Sequence, residues 1–471
     1  MGKRVHFIGI CGKGMSAVAE LMHEKGWSVT GSDAEFYPPV SDYLVRHKVP
    51  FVEGYRAENV PQDVDLIVIG KNAKLVPESN DEVRAAFEKG IPVKSFPDIL
   101  EDLTAATENI VVAGSYGKST TTALLSWCLV HSGKDPSYFI GEVVRGMDEH
   151  AHIGTGGLFV LEGDEYPSSN WDPASKFLHY NPTHVLLTAA AHDHVNIFPT
   201  QADFEAPFHA LLALMPPQGL LVTSADEPFA KSLAAASKRN CIFYGLHAPE
   251  AVWSTRHIEP GERTRFTLTK QGEPVVELTT ELLGAHNIEN IVAASALLLE
   301  RNAITPEQLA HAVLSFKGVK RRMELLTQNS SVPVYEGFGS SYDKAKSALR
   351  AAKLHYPNRR VVVVFEPHTF SWRSKEMLHW YDDIFKDSSL VLIYHPADQG
   401  AQTHSQASHE EIVERVRSAG GNACSVTTPA QTLALLEAEV ALNDVILILT
   451  SGGLDGMTVS IPELIERKFA K

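Results

Sequence analysis

The sequence has few of the features that mark disulfide-bonded, zinc-binding or membrane proteins. Its 471 residues include four cysteines with no CxxC pair, namely Cys11, Cys128, Cys241 and Cys424. This pattern argues against a disulfide framework or a zinc site and favours buried free thiols. The N-terminus lacks the long apolar stretch and cleavage site of a secretory signal, and no segment has about 18 uninterrupted apolar residues. We therefore expect a soluble, cytoplasmic protein without membrane insertion.

Basic residues are scarce relative to acidic ones. The chain has 42 Lys and Arg against 57 Asp and Glu, which gives a formal net charge of -15. A nucleic-acid binder needs a basic face for the phosphate backbone, so we expect small-molecule substrates and no nucleic-acid partner. Hydrophobic residues make up 44% of the chain, and its length suits about three domains of about 150 residues each.

The chain begins with a predicted strand, a glycine-rich turn and a helix. The apolar run 5–10 leads into Gly9-Ile10-Cys11-Gly12-Lys13-Gly14, and a helical pattern follows to about residue 24. Glycines at such a turn let the backbone approach a pyrophosphate, and Asp33, about 20 residues further on, is placed for a ribose hydroxyl. The pattern alone leaves open a dinucleotide such as NAD, another nucleotide, or only a tight turn.

A second glycine loop follows a predicted strand over 109–113. The loop reads Gly114-Ser115-Tyr116-Gly117-Lys118-Ser119-Thr120 and precedes a helical run to about residue 131. Strand, loop and helix come in the order of a phosphate-binding loop, in which Lys118 neutralises phosphate oxygens and the Ser119 hydroxyl ligates Mg²⁺. Only two residues separate the glycines, whereas the general pattern has four. The alternative is a helix capped by Ser115 with a solvated lysine.

Acidic and imidazole side chains follow two further predicted strands. The run Glu162-Gly163-Asp164-Glu165-Tyr166 comes directly after an apolar strand over 158–161, and His192-Asp193-His194 follows a strand over 185–187. Carboxylates at a strand end beside a phosphate loop can ligate Mg²⁺ directly or through water. The alternatives are a solvated acidic cluster and ordinary polar loop histidines.

Alternating strands and helices predict an α/β fold with three domains. Residues 1–107 form a Rossmann-like N-terminal domain, and residues 108–326 form a central P-loop ATPase-like domain with a mixed sheet. The mixed sheet is predicted because short alternating runs within 222–283 are typical of antiparallel hairpins. Residues 327–471 form a second Rossmann-like domain, with strands over 361–365, 390–394 and 445–449. The last boundary falls in the polar linker TQNSSVP.

Six stretches occur together in an order that resembles the Mur ligases of peptidoglycan synthesis. They are GICGKGMS, GSYGKSTTT, EGDEY, AHDHVNIFP, GAHNIEN and KRRME. The shortened glycine loop is that family's own version, GTxGKT. The resemblance covers essentially the whole chain, and the joint occurrence is specific where each motif alone is not.

The resemblance implies an ATP- and Mg²⁺-dependent amide ligase. ATP phosphorylates a substrate carboxylate to an acyl phosphate, an amine attacks it, and phosphate leaves. Lys118, Glu165, His194 and Arg322 are then catalytic, with Ser119, Glu165 and His194 as Mg²⁺ ligands. ATP binding falls to Gly114, Ser115, Tyr116, Gly117, Lys118, Ser119, Thr120, His286, Asn287, Asn290 and Arg322. The N-terminal domain binds the UDP of a UDP-N-acetylmuramyl substrate, not NAD, through Gly9, Gly12, Gly14, Met15, Ser16 and Asp33.

The amine substrate is a finer question. Several stretches, such as Lys176-Phe177-Leu178-His179-Tyr180, resemble the branch that joins UDP-N-acetylmuramate to L-alanyl-γ-D-glutamyl-meso-diaminopimelate in cell-wall recycling. The alternative is L-alanine, and His368 and Arg373 are candidates for contact with either amine. A second alternative is a non-catalytic nucleotide-sugar binding protein.

Departures from the family pattern motivate the second alternative. Tyr116 replaces a histidine, Ala189 and Ala191 replace Asn and Glu, and Glu336-Gly337-Phe338-Gly339-Ser340-Ser341 replaces Asp-Asp-Tyr-Ala-His-His. We expect Glu336 to substitute for the carboxylate missing at Gly337.

Overall fold

The computed structural model describes residues 2–36, 44–147, 149–188, 197–395 and 405–471. Strands and helices alternate through these residues and form three sheets, so the predicted α/β fold with three sheets is confirmed. The chain divides into two compact units. One comprises Met1–His257, Phe266–Thr279 and Glu289–Lys317, and the other Ile258–Arg265, Thr280–Ile288 and Gly318–Lys471. The domain boundaries at 107 and 326 stay predictions.

The first sheet is a parallel, Rossmann-like sheet. Its strands are β1 (Arg4–Ile8), β2 (Ser28–Asp33), β3 (Phe51–Glu53), β4 (Leu66–Ile69) and β5 (Val93–Lys94), and the helices beside it are α1 (Lys13–Glu24), α2 (Asp81–Glu88) and α3 (Phe96–Thr104). The strand order is β3-β2-β1-β4-β5, and every pair is parallel. The order reverses between β1 and β4, where a doubly wound sheet leaves a crevice for a ligand at its carboxyl edge.

The central sheet has ten strands among the described residues. They are β6 (Glu108–Ala113), β7 (Ser137–Phe139), β8 (Ala151–His152), β9 (Leu158–Glu162), β10 (His184–Leu187), β11 (Leu220–Ser224), β12 (Asn240–Tyr244), β13 (Trp253–Glu259), β14 (Thr264–Lys270) and β15 (Glu273–Thr280). Its helices are α4 (Lys118–His131), α5 (Gln201–Leu214), α6 (Pro228–Ser237), α7 (Ala285–Glu300) and α8 (Pro306–Ser315). The strand order is β15-β14-β13-β12-β11-β10-β6-β9-β7-β8.

One detail of the central sheet differs from the sequence prediction. The hairpin interpretation began at Val222, but β11 and β12 pair in parallel with the neighbouring strands and are joined through α6. Every residue of β11 is buried. A strand covered on both faces has a continuous apolar run, which is typical of a parallel sheet and not of a hairpin.

The third sheet is largely parallel and lies wholly in the second unit. Its strands are β16 (Arg322–Leu325), β17 (Val334–Phe338), β18 (Arg360–Phe365), β19 (Leu390–Tyr394), β20 (Ala423–Val426) and β21 (Asp444–Thr450). Its helices are α9 (Tyr342–His355), α10 (Phe370–Arg373), α11 (His409–Ser418), α12 (Pro429–Glu439) and α13 (Met457–Lys468). The order is β16-β17-β21-β18-β19-β20, with β16 antiparallel to β17 and the other pairs parallel.

None of the helices in the described part of the chain combines the length and the apolar character that crossing a membrane requires.

Candidate active site

The predicted phosphate loop connects β6, in the interior of the central sheet, to helix α4. Gly117 caps this helix with a φ of +84°, a left-handed conformation that suits glycine. A Cβ at Gly117 would lie 2.6 Å from Asn290 Oδ1, so the loop has no room for a larger residue. The structure therefore brings Asn290 against a loop whose backbone N–H groups stand at a helix N-terminus, where phosphate binds.

Lys118 lies along this loop and pairs with Glu165. Its Nζ donates hydrogen bonds to Gly114 O and, at 2.8 Å, to Glu165 Oε2. Burial by itself lowers the pKa of Lys118, but the carboxylates of Glu165, Asp164 and Glu162 outweigh burial and raise that pKa above the ordinary value. Lys118 is therefore charged at neutral pH, as a group that neutralises phosphate oxygens must be.

The Ser119 hydroxyl contacts the carboxylate of Glu162. Ser119 Oγ donates to Glu162 Oε1 at 2.6 Å, and the Gly141 N–H donates to Glu162 Oε2 at 2.7 Å. Burial raises the pKa of Glu162, although both of these hydrogen bonds act to lower it. A hydroxyl beside a buried carboxylate is a pair of hard oxygen donors, so the residues present fit Mg²⁺. Glu165, assigned to the metal from the sequence, accepts a hydrogen bond from Lys118 in this structure, and its role as a metal ligand stays a prediction.

The sheet register explains why these groups meet. Strand β6 lies between β9 and β10, with both pairs parallel, so the chain segments that follow all three strands emerge at one edge. The segment after β10 contributes Thr188, whose Oγ1 donates to the backbone oxygen of Tyr116 at 2.5 Å. His194 and the substituted positions Ala189 and Ala191 lie outside the described residues, so His194 stays a prediction.

The first glycine turn is closed by Asp33. The Cys11 N–H donates to Asp33 Oδ2 at 2.7 Å, and the Tyr55 hydroxyl donates to Asp33 Oδ1 at 2.9 Å. Gly9 has a φ of +85°, and a Cβ at Gly14 would lie 2.9 Å from the Phe96 ring. Gly9 therefore suits the left-handed conformation of the turn, and Gly14 leaves room for the Phe96 ring.

The other predicted residues of this turn contribute chiefly through the backbone. Gly12 is the N-cap of α1, and the side chains of Met15 and Ser16 are buried. Ser16 Oγ donates to Lys13 O at 3.1 Å. A nucleotide bound at the carboxyl edge of β1 would therefore meet the backbone of this helix N-terminus and not these two side chains.

Three residues predicted to bind ATP lie in the second unit. Asn287 is buried, and its Nδ2 donates to Leu283 O at 2.8 Å. A hydrogen bond of 3.1 Å joins His286 Nδ1 and Ser347 Oγ. The Arg322 guanidinium lies 5.3 Å from the centre of the Phe338 ring, a cation–π contact.

A second polar cluster lies at the carboxyl edge of the third sheet. Glu366 follows β18, accepts a hydrogen bond from the Thr450 hydroxyl at the end of β21, and lies 3.4 Å from His368 Nδ1. A Cβ at Gly452 would lie 2.5 Å from His368 Nδ1, so the glycine admits the imidazole. Arg373 is buried in the short helix after His368. Both predicted amine-site residues are thus on one connection of this sheet.

Sequence reasoning missed several partners in these clusters. Thr188, Tyr55 and Thr450 act through hydrogen bonds between distant segments, which no local motif signals. Glu162 was among the carboxylates singled out after β9, but the sequence did not single it out from that run as the partner of Ser119.

The described residues define an α/β protein with three sheets and a phosphate loop after a strand of the central sheet. Comparison with known proteins identifies the family. Residues 4–108 match the model "Mur ligase family, catalytic domain", and residues 112–298 match "Mur ligase middle domain". The UDP-N-acetylmuramate–L-alanine ligase of Desulfitobacterium hafniense is 30% identical over 96% of this chain and 98% of its own length.

Two further relatives extend the comparison. The UDP-N-acetylmuramate–L-alanyl-γ-D-glutamyl-meso-2,6-diaminoheptandioate ligase of Escherichia coli is 32% identical over 78% of this chain and 79% of its own. The crystal structure of the UDP-N-acetylmuramate–alanine ligase of Thermotoga maritima covers 99% of both chains with a TM-score of 0.79 at 23% identity, which supports the fold alone.

The chain belongs to the Mur ligase family. Members of this family are ATP-dependent amide ligases of peptidoglycan synthesis that act on small molecules. The family and the enzyme class predicted from the sequence are confirmed.

Proposed function

We propose that this chain joins the carboxylate of UDP-N-acetylmuramate to the amino group of L-alanine at the expense of ATP. The phosphate loop carries the proposal, because Lys118 and Ser119 meet the carboxylates of Glu165 and Glu162 at one sheet edge. The name of the Desulfitobacterium relative, which spans nearly the whole chain, supports the choice of L-alanine.

The proposed reaction must first activate the carboxylate. A free carboxylate is unreactive toward amines because it is charged and has a poor leaving group. Transfer of the γ-phosphoryl group of ATP to a carboxylate oxygen gives an acyl phosphate and ADP. The amine nitrogen then attacks the acyl carbon, the C–O bond to phosphate breaks, and an amide and inorganic phosphate remain.

The residues of the central unit suit the first of these steps. The charged Lys118 ammonium and the N–H groups of the loop are donors suited to the β- and γ-phosphates of a bound ATP, and there they would stabilise negative charge during phosphoryl transfer. Mg²⁺, when bound beside Ser119 and Glu162, supplies further neutralisation of phosphate charge. His194 remains the candidate for a further metal ligand, and Arg322 for a contact with ATP.

A murein tripeptide is the second candidate for the amine. It is supported by the Escherichia coli relative, whose name specifies L-alanyl-γ-D-glutamyl-meso-2,6-diaminoheptandioate, and by the stretch over 176–180 that resembles this branch. In the structure Lys176 donates to Asp164 at 2.6 Å. This stretch therefore touches the acidic run of the ATP site.

The deciding experiment offers the two amines separately. Purified full-length protein is incubated with ATP, Mg²⁺ and UDP-N-acetylmuramate plus either L-alanine or the tripeptide, and products are weighed by mass spectrometry. We expect phosphate release together with an amide product for L-alanine, and none for Lys118→Ala. A product with the tripeptide alone would make the second candidate the function. Saturable binding of UDP-N-acetylmuramate with no product from either amine would instead favour a non-catalytic binding protein.

A further inference from the structure

Carboxylates and imidazoles from four places in the first unit meet beside helix α1. Glu20 and Glu24 lie on α1, His47 comes later in the N-terminal part of the chain, Glu149 precedes β8, and His152 lies in β8. The possible ligand atoms of Glu20, His47 and Glu149 lie within 4.8 Å of one another, as do those of Glu24, Glu149 and His152. Glu149 is common to both groups.

Glu20 distinguishes this cluster from a set of surface charges. Its side chain is 1% exposed, and among the described residues no Lys, Arg, backbone N–H or hydroxyl group donates a hydrogen bond to either of its carboxylate oxygens. His150 Nδ1 lies 3.9 Å from Glu20 Oε2. A buried carboxylate without donors is strongly unfavourable unless a proton or a cation neutralises it.

The surroundings of Glu20 are themselves negative. Burial, followed by the charges of Glu149 and Glu24, raises the pKa of Glu20 to about 10, while Arg46 acts in the opposite direction. The buried carboxyl is therefore neutralised either by a proton or by a cation. The geometry suits a cation, because a divalent ion among Glu20, His47 and Glu149 would neutralise two facing carboxylates at once and provide a partner for the buried oxygens of Glu20.

The distances and the donor types suit a transition-metal ion. His47 Nε2 and Glu149 Oε1 are 3.6 Å apart. Bonds of about 2.0–2.2 Å in a tetrahedral site place neighbouring ligand atoms about 3.3–3.6 Å apart, so this pair is close to a bound geometry. A donor set of imidazole and carboxylates favours Zn²⁺ or Mn²⁺ over Mg²⁺.

We propose that Glu20, His47 and Glu149 form a binding site for one divalent transition-metal ion of the Zn²⁺ class, separate from the Mg²⁺ site beside Ser119. Glu24 and His152 adjoin this site through the shared Glu149. Because α1 begins at the first glycine turn, a bound ion ties that helix to the β8 region. The ion has a structural role and takes no part in the ligase reaction.

The test uses the full chain without nucleotide, so that the Mg²⁺ site beside the phosphate loop is not assembled around ATP. Metal is removed from the protein with a chelator, the protein is dialysed against Zn²⁺, and bound zinc is quantified by inductively coupled plasma mass spectrometry. We expect about one equivalent in the wild type. Glu20→Gln and Glu149→Gln should each weaken Zn²⁺ binding by at least about 10-fold, since replacing a residue that only hydrogen-bonds to a metal ligand already lowers metal affinity that much.

Two controls separate this site from others. Glu162→Gln, which alters the phosphate loop, should keep the Zn²⁺ equivalent. Glu101→Gln removes the same charge from the cluster of Asp98, Glu101 and His179, where His179 already has hydrogen bonds to Glu101 and Asp172, and it should also keep the equivalent. Circular dichroism shows that each variant is folded. If Glu20→Gln does not fold, the test rests on Glu149→Gln, because the Glu149 side chain is more exposed than that of Glu20.

Two outcomes would overturn the proposal. One is that the stripped wild type takes up no Zn²⁺ or Mn²⁺. The other is that folded Glu20→Gln and Glu149→Gln bind as much metal as the wild type. The first outcome, together with a higher thermal midpoint for Glu20→Gln, would assign the buried carboxyl to a proton shared with Glu149. Neither result bears on ligase activity, which is measured separately.

Discussion

The pairing of Lys118 with Glu165 yields a prediction about stability that is independent of any assay of activity. The two side chains are 15% and 1% exposed, so Glu165 depends on Lys118 for its countercharge. Replacing Lys118 by Met leaves an uncompensated buried carboxylate, which costs about 3–5 kcal/mol. For a cooperative unit of about 150–250 residues each kcal/mol moves the midpoint of thermal unfolding by about 2–4 °C. We therefore expect Lys118→Met to lower that midpoint by about 6–20 °C.

A double-mutant cycle checks the reasoning. Glu165→Gln removes the buried charge, so Lys118→Met combined with Glu165→Gln should be more stable than Lys118→Met alone, although it stays inactive. The measurement is differential scanning calorimetry of the wild type, both single variants and the double variant at neutral pH. If the double variant melts at or below the temperature of Lys118→Met, Glu165 does not depend on Lys118 and the argument is refuted.

Three further substitutions test the same sheet edge. Gly117→Ala places an L-residue at φ +84° with its Cβ 2.6 Å from Asn290 Oδ1. It should lower the free energy of unfolding by at least about 1–2 kcal/mol and raise KM for ATP. Adding Asn290→Ala relieves the contact but not the backbone strain, so it should restore only part of that stability. Because the pKa of Glu162 is raised in the folded protein, its contribution to stability is lost as pH rises above about 4.3. The free energy of unfolding of Glu162→Gln should therefore depend less on pH above that value. The same variant should lose Mg²⁺-dependent turnover. Gly163→Ala brings a Cβ to 2.8 Å from Val111 Cγ1, and its overpacking should lower unfolding free energy by about 1–3 kcal/mol in urea titration; an unchanged midpoint would contradict that packing.

The fold could be predicted from short stretches because each segment carries its own signal. Strands such as β6 and β18 are apolar runs that end at glycine or polar residues, and α4 begins at a glycine and a lysine. The failure at β11 and β12 has a physical origin, since a strand of five residues does not specify whether its partner is parallel or antiparallel. Pairing depends on residues far away in the chain.

The site was less predictable because the local sequence does not determine which side chains pair with one another. The sequence indicates that Ser119 and the acidic run after β9 share an edge, but two glutamates three residues apart compete for the lysine and for the hydroxyl. Only the register, with Val112 opposite Glu162, directs Glu162 toward Ser119 and leaves Glu165 for Lys118. A motif carried over by position could not make that choice.

The third sheet shows how a departure from the family pattern rearranges a strand. The family pattern used in the sequence analysis has an aspartate at the position of Gly337, and we expected Glu336 to replace its carboxylate. A Cβ at Gly337 would lie 3.1 Å from Leu449 Cδ2 and 3.2 Å from Ala348 Cβ, which is an apolar interior. Successive residues of a strand point to opposite faces, so Glu336 cannot supply a carboxylate on that face.

Glu336 has a different partner. Its Oε1 accepts a hydrogen bond from Arg321 Nε at 2.7 Å, and Arg321 Nη2 in turn donates to Gly452 O at 2.8 Å. Gly452 is the residue whose missing side chain admits His368 beside Glu366. The carboxylate on β17 therefore holds, through one arginine, the loop that shapes the polar cluster at the edge of this sheet. With Gly337 on the face that packs on Ala348 and Glu336 on the opposite face, the charge of this strand supports the candidate amine site and not the apolar interior.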